Sequence, residues 1–407
     1  NMSISKARLI KHITGVVRKR GQVRWESPVV ESSFATVTTS IWKQPPGEVF
    51  DVNFRNVFGS ASGIVSSFVQ RSLRSPVGAD TLPADITVRM SWPPMLHPPA
   101  EGKLILYLPW EFGVIPQQWI EPIRKNTLEI WTPSFESQTA FLRSGFPRSS
   151  VIVVPHGVPQ EYCDLFDPKA AKAPGDTFNI LYHGGFLYRK GVDVLLESFE
   201  LAFDITANVH LTIHTEYGDD QVFKEFKRKL SVTHMRSKIT YIRARLTGRE
   251  VVRLLQSNHV LLHPSRAEGY GLAVAEAMSL GVLPIASRLG AHIDFVKGLG
   301  FFYDTKRTVC TKSPCSSTGD RLAAWGLTPA KPHRFFHWNE APAREISKAL
   351  RHAHSTFTND PKSFHELRRS AHKEICKTTW DVVQDKVVNL IKSKLDIMKR
   401  NDKMQLG

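Results

Sequence analysis

The sequence predicts an α/β protein of two domains, each a parallel sheet covered by helices. Three observations lead there. Short apolar runs alternate with helix-period segments along most of the chain. A length of 407 residues is enough for about two to three domains. A break carrying Pro155, Pro159, Pro168 and Pro174 divides the alternation into two series. The expected boundaries are a first Rossmann-like domain at 1–155, a linker at 156–176, a second Rossmann-like domain at 177–378 and a closing helix and tail at 379–407.

In the first series, strands are expected at 22–25, 85–90, 103–108, 128–131 and 151–154, with a short element at 34–42. Helices fall at 117–124 and, capped by Ser134, up to Arg143. The second series opens with a strand at 178–182. It continues through a helix at 192–203, strands at 209–214 and 239–242, a helix at 248–256, a strand at Val260, a helix from Leu272 and a strand at 283–286. Alternation of this kind places ligands at the C-terminal ends of the strands. From 304 to 338 the pattern gives way to a polar stretch that reads as an irregular insertion. Helices resume near Pro342, and 380–398 is amphipathic, with Val382, Val383, Val387, Val388, Leu390, Ile391, Leu395 and Ile397 on or near one face.

The stretch 261–287 carries the chemistry. An apolar strand ends at Pro264 and Ser265, Gly269 and Gly271 supply an open turn, and an alanine-rich helix follows. The start of a helix offers unpaired N–H groups and the positive end of its dipole, so phosphate can sit over Tyr270 to Ala273. Glu268 and Glu276, with seven residues between them, flank that turn and can accept hydrogen bonds from hydroxyls.

Glu-x7-Glu enclosing Gly-Tyr-Gly-Leu, preceded by His-Pro-Ser-Arg and followed by Gly-Val-Leu-Pro-Ile-Ala-Ser, resembles the family-four (group 1) retaining glycosyltransferases. Their fold is GT-B, two Rossmann-like domains facing across a cleft with a last helix crossing back to the first. His183-Gly184-Gly185-Phe186-Leu187-Tyr188-Arg189-Lys190-Gly191 is similar to the family's Gly-Arg turn followed by Lys-Gly. Lys190 is kept, but Gly185 stands where an arginine is expected, and Arg189 and Arg266 are candidate substitutes. Val153-Val154-Pro155-His156-Gly157-Val158 resembles the family's hinge, and Gly290-Ala291-His292-Ile293-Asp294 its glycine turn, with aspartate in place of glutamate. After the 103–108 strand many members carry a histidine; this chain has Pro109-Trp110-Glu111.

The resemblance implies transfer of a sugar, with retention, from a nucleoside diphosphate sugar to an acceptor hydroxyl, without a metal or other cofactor. It assigns Glu276 to the ribose, Glu268 to hydroxyls of the donor sugar and Lys190 to the diphosphate. The catalytic candidates are thus Glu268, Lys190 and Glu111. The donor-binding candidates are Gly184, Gly185, Arg189, Lys190, Arg266, Gly269, Tyr270, Gly271, Leu272 and Glu276. The acceptor is unidentified: glycan, lipid or protein. Gly185 and the absent histidine motivate a competing reading, a catalytically silent scaffold or nucleotide-sugar-binding protein. A non-transferring epimerase on the same fold suits the paired glutamates less well.

The formal charge is +16, and Lys6, Arg8, Lys11, Arg18, Lys19, Arg20 and Arg24 precede the first acid. Leu9, Ile10, Ile13, Val16 and Val17 fall at helical spacing among them, a stretch suited to packing on its own domain or to peripheral contact with anionic membrane. No recognition helix, aromatic RNA-binding signature or zinc-finger array accompanies the charge, which argues against nucleic acid. No apolar run approaches the roughly twenty residues of a membrane span. Four scattered cysteines make no disulfide framework, so a soluble, cytoplasmic protein is expected. Cys310, Cys315, His333 and His337, spaced Cys-x4-Cys-x17-His-x3-His, form a candidate zinc set with an unusually long central gap.

Overall fold

The computed structural model describes residues 21–27, 33–42, 50–56, 83–168, 177–309 and 336–406. The basic stretch at the front lies outside these residues, as do Cys310, Cys315 and His333 and the 169–176 part of the expected linker.

The first sheet is built from β1 (Gly21–Ser27), β2 (Phe50–Asn56), β3 (Ile86–Arg89), β4 (Lys103–Tyr107), β5 (Thr127–Thr132) and β6 (Val151–Val153), in the order β2-β1-β3-β4-β5-β6. Its pairings from β2 through β5 are parallel. The helices of this part are α1 (Ser33–Ile41), α2 (Gln117–Asn126) and α3 (Phe135–Arg143). Ser134 caps α3 by accepting from the Ser137 amide, as its place before the helix predicts. Strand β2 was not expected.

The second series runs α4 (Gln160–Asp164), β7 (Phe178–His183), α5 (Val192–Ala202), β8 (Val209–Thr215), α6 (Asp220–Val232), β9 (Ile239–Arg243), α7 (Gly248–Gln256), β10 (Val260–His263), α8 (Leu272–Ser279), β11 (Leu283–Ser287), α9 (Ile293–Val296) and β12 (Phe301–Tyr303). The sheet order is β12-β11-β10-β7-β8-β9, all parallel. Counted from β7 this is the 3-2-1-4-5-6 arrangement of dinucleotide-binding sheets. Strands β10 and β11 are buried throughout, as in a sheet covered on both faces. Helix α6 escaped the sequence reading because its buried positions, Phe223, Phe226 and Leu230, are a thin stripe among lysines.

The 304–338 stretch is not irregular throughout. Its two ends pair as antiparallel strands β13 (Lys306–Val309) and β14 (His337–Glu340), with Lys306 opposite Glu340 and Val309 opposite His337. Sequence reading missed them because each strand is four residues long and polar. Three helices close the chain: α10 (Ala343–Asn359), α11 (Pro361–Ile375) and α12 (Trp380–Leu406).

Two compact units emerge: Asn1–Leu108 with Pro122–Trp131 and Val383–Gly407, and Pro109–Glu121 with Thr132–Val382. The closing helix therefore returns to the first unit. There Val383, Val387, Ile391 and Leu395 are buried, and Leu395 lies against Gly21, where a Cβ would come within 2.5 Å of it. The core of this unit also holds a buried ion pair, Arg89 Nε to Glu26 Oε2 at 2.6 Å, with Arg89 donating further to the carbonyls of Met95 and His97.

Cys163 and Cys376 form a disulfide across 213 residues of sequence. The scattered cysteines were expected to make no disulfide framework, and among the described residues the structure joins one pair of them. The pair was invisible because its partners meet only through the tertiary fold: Cys163 lies on α4 and Cys376 just beyond α11. Among the described residues no helix is long and apolar enough to cross a membrane.

Candidate functional site

The site grows from the point where the second sheet reverses its winding, between β7 and β10. Crossover connections leave these strands in opposite directions, opening a crevice at their C-terminal ends. The segment after β7 carries Arg189 and Lys190 in a 3-10 turn that Gly191 ends. Gly191 has φ +73°, and a Cβ there would sit 2.1 Å from the Pro264 carbonyl oxygen. Only glycine lets the two segments approach so closely. The Arg266 amide donates to the Arg189 carbonyl at 2.8 Å and completes the join.

Glu268 is the electrostatic centre and is 9% exposed. Lys190 Nζ is 2.5 Å from its Oε1, and Arg189 Nη1 is 3.4 Å from its Oε2 while donating to the Ala267 carbonyl at 2.6 Å. Burial alone would raise the carboxyl's pKa, but Lys190 and Arg189 hold it well below the usual carboxylate range. His263, at the end of β10, places Nε2 3.5 Å from Glu268, and burial lowers its pKa to about 3, so it is neutral. Arg189 also lies 3.9 Å from Glu111. The residue standing where a histidine was expected thus shares the Glu268 cluster.

Arg266 is built differently. It pairs with both oxygens of Asp193 at 2.7 and 2.8 Å, reaches Glu340 at 2.7 Å, donates to the Tyr188 carbonyl, and lies 4.2 Å over the Tyr188 ring. With its hydrogen-bonding edge committed to these groups, the guanidinium braces the loop. Gly184 and Gly185 follow β7. Tyr182 donates to the Gly185 carbonyl at 3.0 Å, and a Cβ at Gly185 would lie 2.5 Å from the Tyr217 ring. An arginine at 185 would require Tyr217 to move. His183 and His214 bring their Nδ1 atoms to 2.8 Å, and burial first, then His214 and Lys190, lower the His183 pKa to about 4.

The glycine turn is fixed from outside. Ser134 Oγ donates to the Gly269 carbonyl at 2.7 Å, and a Cβ on Gly269 would be 2.8 Å from that of Pro109. Close packing of Pro109 on Gly269 is what carries Glu111 inward. Asp294 caps α3 by accepting from the Phe135 amide at 2.7 Å, a scaffold task. Gly271 is the N-cap of α8 at φ +104°, and its carbonyl accepts from Val274 and Ala275. The Tyr270 ring packs in the core against His156 and Phe295, so this residue offers the turn only its backbone. Leu272 likewise packs its side chain on the core. Glu276 lies one turn further, and burial raises its pKa to about 7.

A pocket opens beside Glu268, lined by Glu111, Glu136, Gly290, Arg307, His337 and Asn339 among others. The strand pair β13–β14 forms one wall. It is tied down by Asn339 donating to the Arg266 carbonyl, by His337 donating to the Phe112 carbonyl and by an ion pair of Arg307 with Glu136. Sequence reading singled out His337 only as a zinc candidate and missed Glu136, Arg307 and Asn339. Among the described residues no three His, Cys, Asp or Glu side chains are grouped to hold a metal ion.

Comparisons with known proteins agree with this architecture. A glycosyltransferase of Rickettsia africae superposes with a TM-score of 0.64 over 93% of this chain and 99% of its own at 12% identity. Anabaena HepE, solved with UDP and glucose, gives 0.64 over 92% and 100%, also at 12%. These likenesses define the fold as GT-B. Residues 165–307 match the model of the family described as glycosyl transferases group 1. A phosphatidylinositol N-acetylglucosaminyltransferase component from Arabidopsis thaliana is 25% identical over 156 residues, 38% of this chain and 33% of its own. An uncharacterized glycosyltransferase of Methanocaldococcus jannaschii is 28% identical over 146 residues, 35% and 36%. The matches thus span about a third of the length of these curated relatives.

Proposed function

We propose that this protein transfers a sugar, with retention of configuration, from a nucleoside diphosphate sugar to an acceptor hydroxyl, and does so without a metal ion. The carrying observation is a buried, ionised Glu268 held by Lys190 and Arg189 beside the glycine turn that opens α8. Lys190, Arg189 and the first amides of α8 would stabilise charge on the departing diphosphate, a task that preorganised donors perform for a few kcal/mol. Glu268 would grip hydroxyls of the donor sugar and Glu276 those of the ribose. The departing phosphate oxygen would take the acceptor proton on the same face of the sugar. HepE, whose solved complexes include UDP, UDP-glucose and UDP with glucose, supports a nucleotide sugar as the donor class.

Gly185, backed by Tyr217, favours a second reading in which the site binds nucleotide sugars without turning them over. Incubation with a panel of nucleotide sugars, following release of diphosphate and the anomeric configuration of any product, separates the two. Turnover should fall by about ten- to a hundredfold in Lys190→Ala, which loses one charge-assisted contact. Binding without turnover across the panel would favour the silent protein, and equal turnover in wild type and variant would remove Lys190 from the reaction.

A further inference from the structure

His183 ends β7 and His214 stands beside it on β8, and neither is used by the proposed reaction. The two are partners at the last step of the β7–β8 ladder, so their side chains leave the same face of the sheet at the C-terminal ends of the strands, where such sheets bind ligands. Their Nδ1 atoms are 2.8 Å apart, with ring centres 4.9 Å apart and planes at 13°. So short a gap between nitrogens, at centres that far apart, sets the rings edge to edge in nearly one plane. That is the geometry of a nitrogen-to-nitrogen hydrogen bond.

The third member of the chain fixes the protons. His214 Nε2 is 2.9 Å from the Ala244 carbonyl oxygen, which accepts and cannot donate, so His214 carries its hydrogen on Nε2. Burial lowers the pKa of both rings, to about 4 for His183, where His214 and Lys190 add to the effect, and both are neutral at neutral pH. His214 Nδ1 is then an acceptor, His183 Nδ1 donates to it, and His183 Nε2 keeps a bare lone pair. Nε2 makes no hydrogen bond to the described residues, and it is not among their enclosed unpaired polar atoms, unlike Nε2 of His259 and His263. It therefore reaches solvent from a half-buried ring.

The position of the pair also sets a direction. His183 Nδ1 faces β8, so Nε2, on the far edge of the ring, is turned away from β8, and the next strand on that side is β10. Between β7 and β10 lies the crevice beside Lys190 and Glu268, and Lys190 is near enough for its charge to act on the His183 ring. Gly184 and Gly185, next in the chain, have no side chains to cover it.

We infer that His183 is a ligand-contacting residue of the donor site, its Nε2 accepting a hydrogen bond from a hydroxyl of the nucleotide sugar, and that His214 is a positioning residue that fixes the tautomer. This inference rests on the donor site proposed at Glu268 and Lys190 and deepens it. A bare lone pair repels a phosphate oxygen and attracts a hydroxyl hydrogen. The subsite thus sorts hydroxyl groups, on the ribose or on the sugar, and leaves the diphosphate to Lys190. His183 does not refill the place of the arginine missing at Gly185; it adds an acceptor beside it.

Two measurements test this. Long-range nitrogen–proton NMR of the ligand-free protein should show His183 protonated on Nδ1 and His214 on Nε2. Calorimetry should compare pyrophosphate, UDP, GDP, UDP-glucose and GDP-mannose on wild type, His183→Leu, His183→Gln and His214→Leu. His183→Leu should hold pyrophosphate within about twofold of wild type and weaken a nucleotide sugar about tenfold. A matching loss for the bare nucleoside diphosphate assigns the contact to the ribose, and a loss confined to the sugar form assigns it to the sugar. His183→Gln, which can carry an acceptor oxygen near the Nε2 position, should recover part of the loss. His214→Leu should weaken the same ligands less and mix the tautomers of His183, a spectral change that a merely structural role would not produce. A hydrogen on His183 Nε2 in wild type overturns the inference. So does wild-type affinity in His183→Leu, or an equal loss for pyrophosphate and nucleotide sugar, and each of these outcomes leaves the donor site standing. Failure of wild type to bind any of the five ligands removes the donor site itself, and this inference with it.

Discussion

The two glutamates of the signature are eight residues apart, Glu268 buried and Glu276 half-buried, and electrostatically opposite. Glu268 sits at the end of the loop after β10 with two cations on its oxygens, and its charge is secured. Glu276, a turn into α8, has burial as the cause of its shift, which raises its pKa to about 7. One spacing motif thus delivers two acids with different work. The first is an anion fixed between Lys190 and Arg189. The second is a carboxyl whose pKa burial raises to about 7.

The most severe way to break this contrast is to neutralise Glu268. Glu268→Gln keeps the shape but leaves Lys190 and Arg189 without their counter-charge. Transfer should drop by about a hundredfold or more, a barrier increase of about 2.7 kcal/mol or more. Breaking a buried pair of this kind commonly costs about 3–5 kcal/mol of stability, so thermal unfolding should move down as well. The sign of the pH dependence follows from the depressed pKa. Glu268 contributes stability above the ordinary carboxylate range and loses it as pH falls toward its lowered value. Wild type and Glu268→Gln should therefore converge in stability only in strong acid. Equal turnover and equal unfolding temperatures at neutral pH would end the assignment.

A smaller effect sharpens the other half. Between about pH 4.5 and 7 the folded protein keeps on Glu276 a proton that the unfolded chain releases, so this group's contribution to stability falls as pH rises through that window. A ribose diol is best held by the ionised form, which can accept two hydrogen bonds. Affinity for a nucleotide sugar, whose diphosphate does not titrate here, should then rise about tenfold from pH 6 to pH 8 as the carboxyl ionises. Glu276→Gln should flatten that rise. A slope of the same size in the variant would assign the pH dependence to another group.

How much of this was readable beforehand follows the range of the interactions. The β10–turn–α8 unit, its N-cap at Gly271 and the adjacency of Arg189 and Lys190 are local, and spacing alone placed them. Arg266 was read as a phosphate candidate because sequence supplies a charge but not its partners. Asp193 and Glu340, which engage it, lie 73 and 74 residues away. Glu111 reached the Glu268 cluster through Pro109 packing on Gly269, a contact that no periodicity encodes. The strand pair β13–β14 was hidden for a related reason: its halves are short, polar and separated by a long intervening segment, so neither looks like a strand until the other is beside it. The disulfide belongs with these, since proximity across 213 residues is a property of the fold alone.

That disulfide offers the finest test of the contrast between the glutamates. Helix α8 packs on both α4 and α11, and the Cys163–Cys376 bond joins α4 to the residue after α11. Tyr162, next to Cys163, is close enough to Glu276 for the carboxylate to help raise its pKa, after the larger effect of burial, to about 12. The bond therefore staples part of the cover that limits water around the half-buried Glu276, while the Glu268 cluster is held by its own ion pairs and by Ser134. Replacing both cysteines with serine should loosen that cover and let water reach Glu276. The midpoint of the pH-dependent rise in affinity should shift down by about half a unit, a change of less than 1 kcal/mol. Cross-link loss should also lower global stability by about 2–4 kcal/mol, which the unfolding temperature will record separately. If the two glutamates are insulated as described, affinity well above the midpoint stays at the wild-type value. A loss of affinity at every pH would show that the staple supports the Glu268 side as much as the Glu276 side.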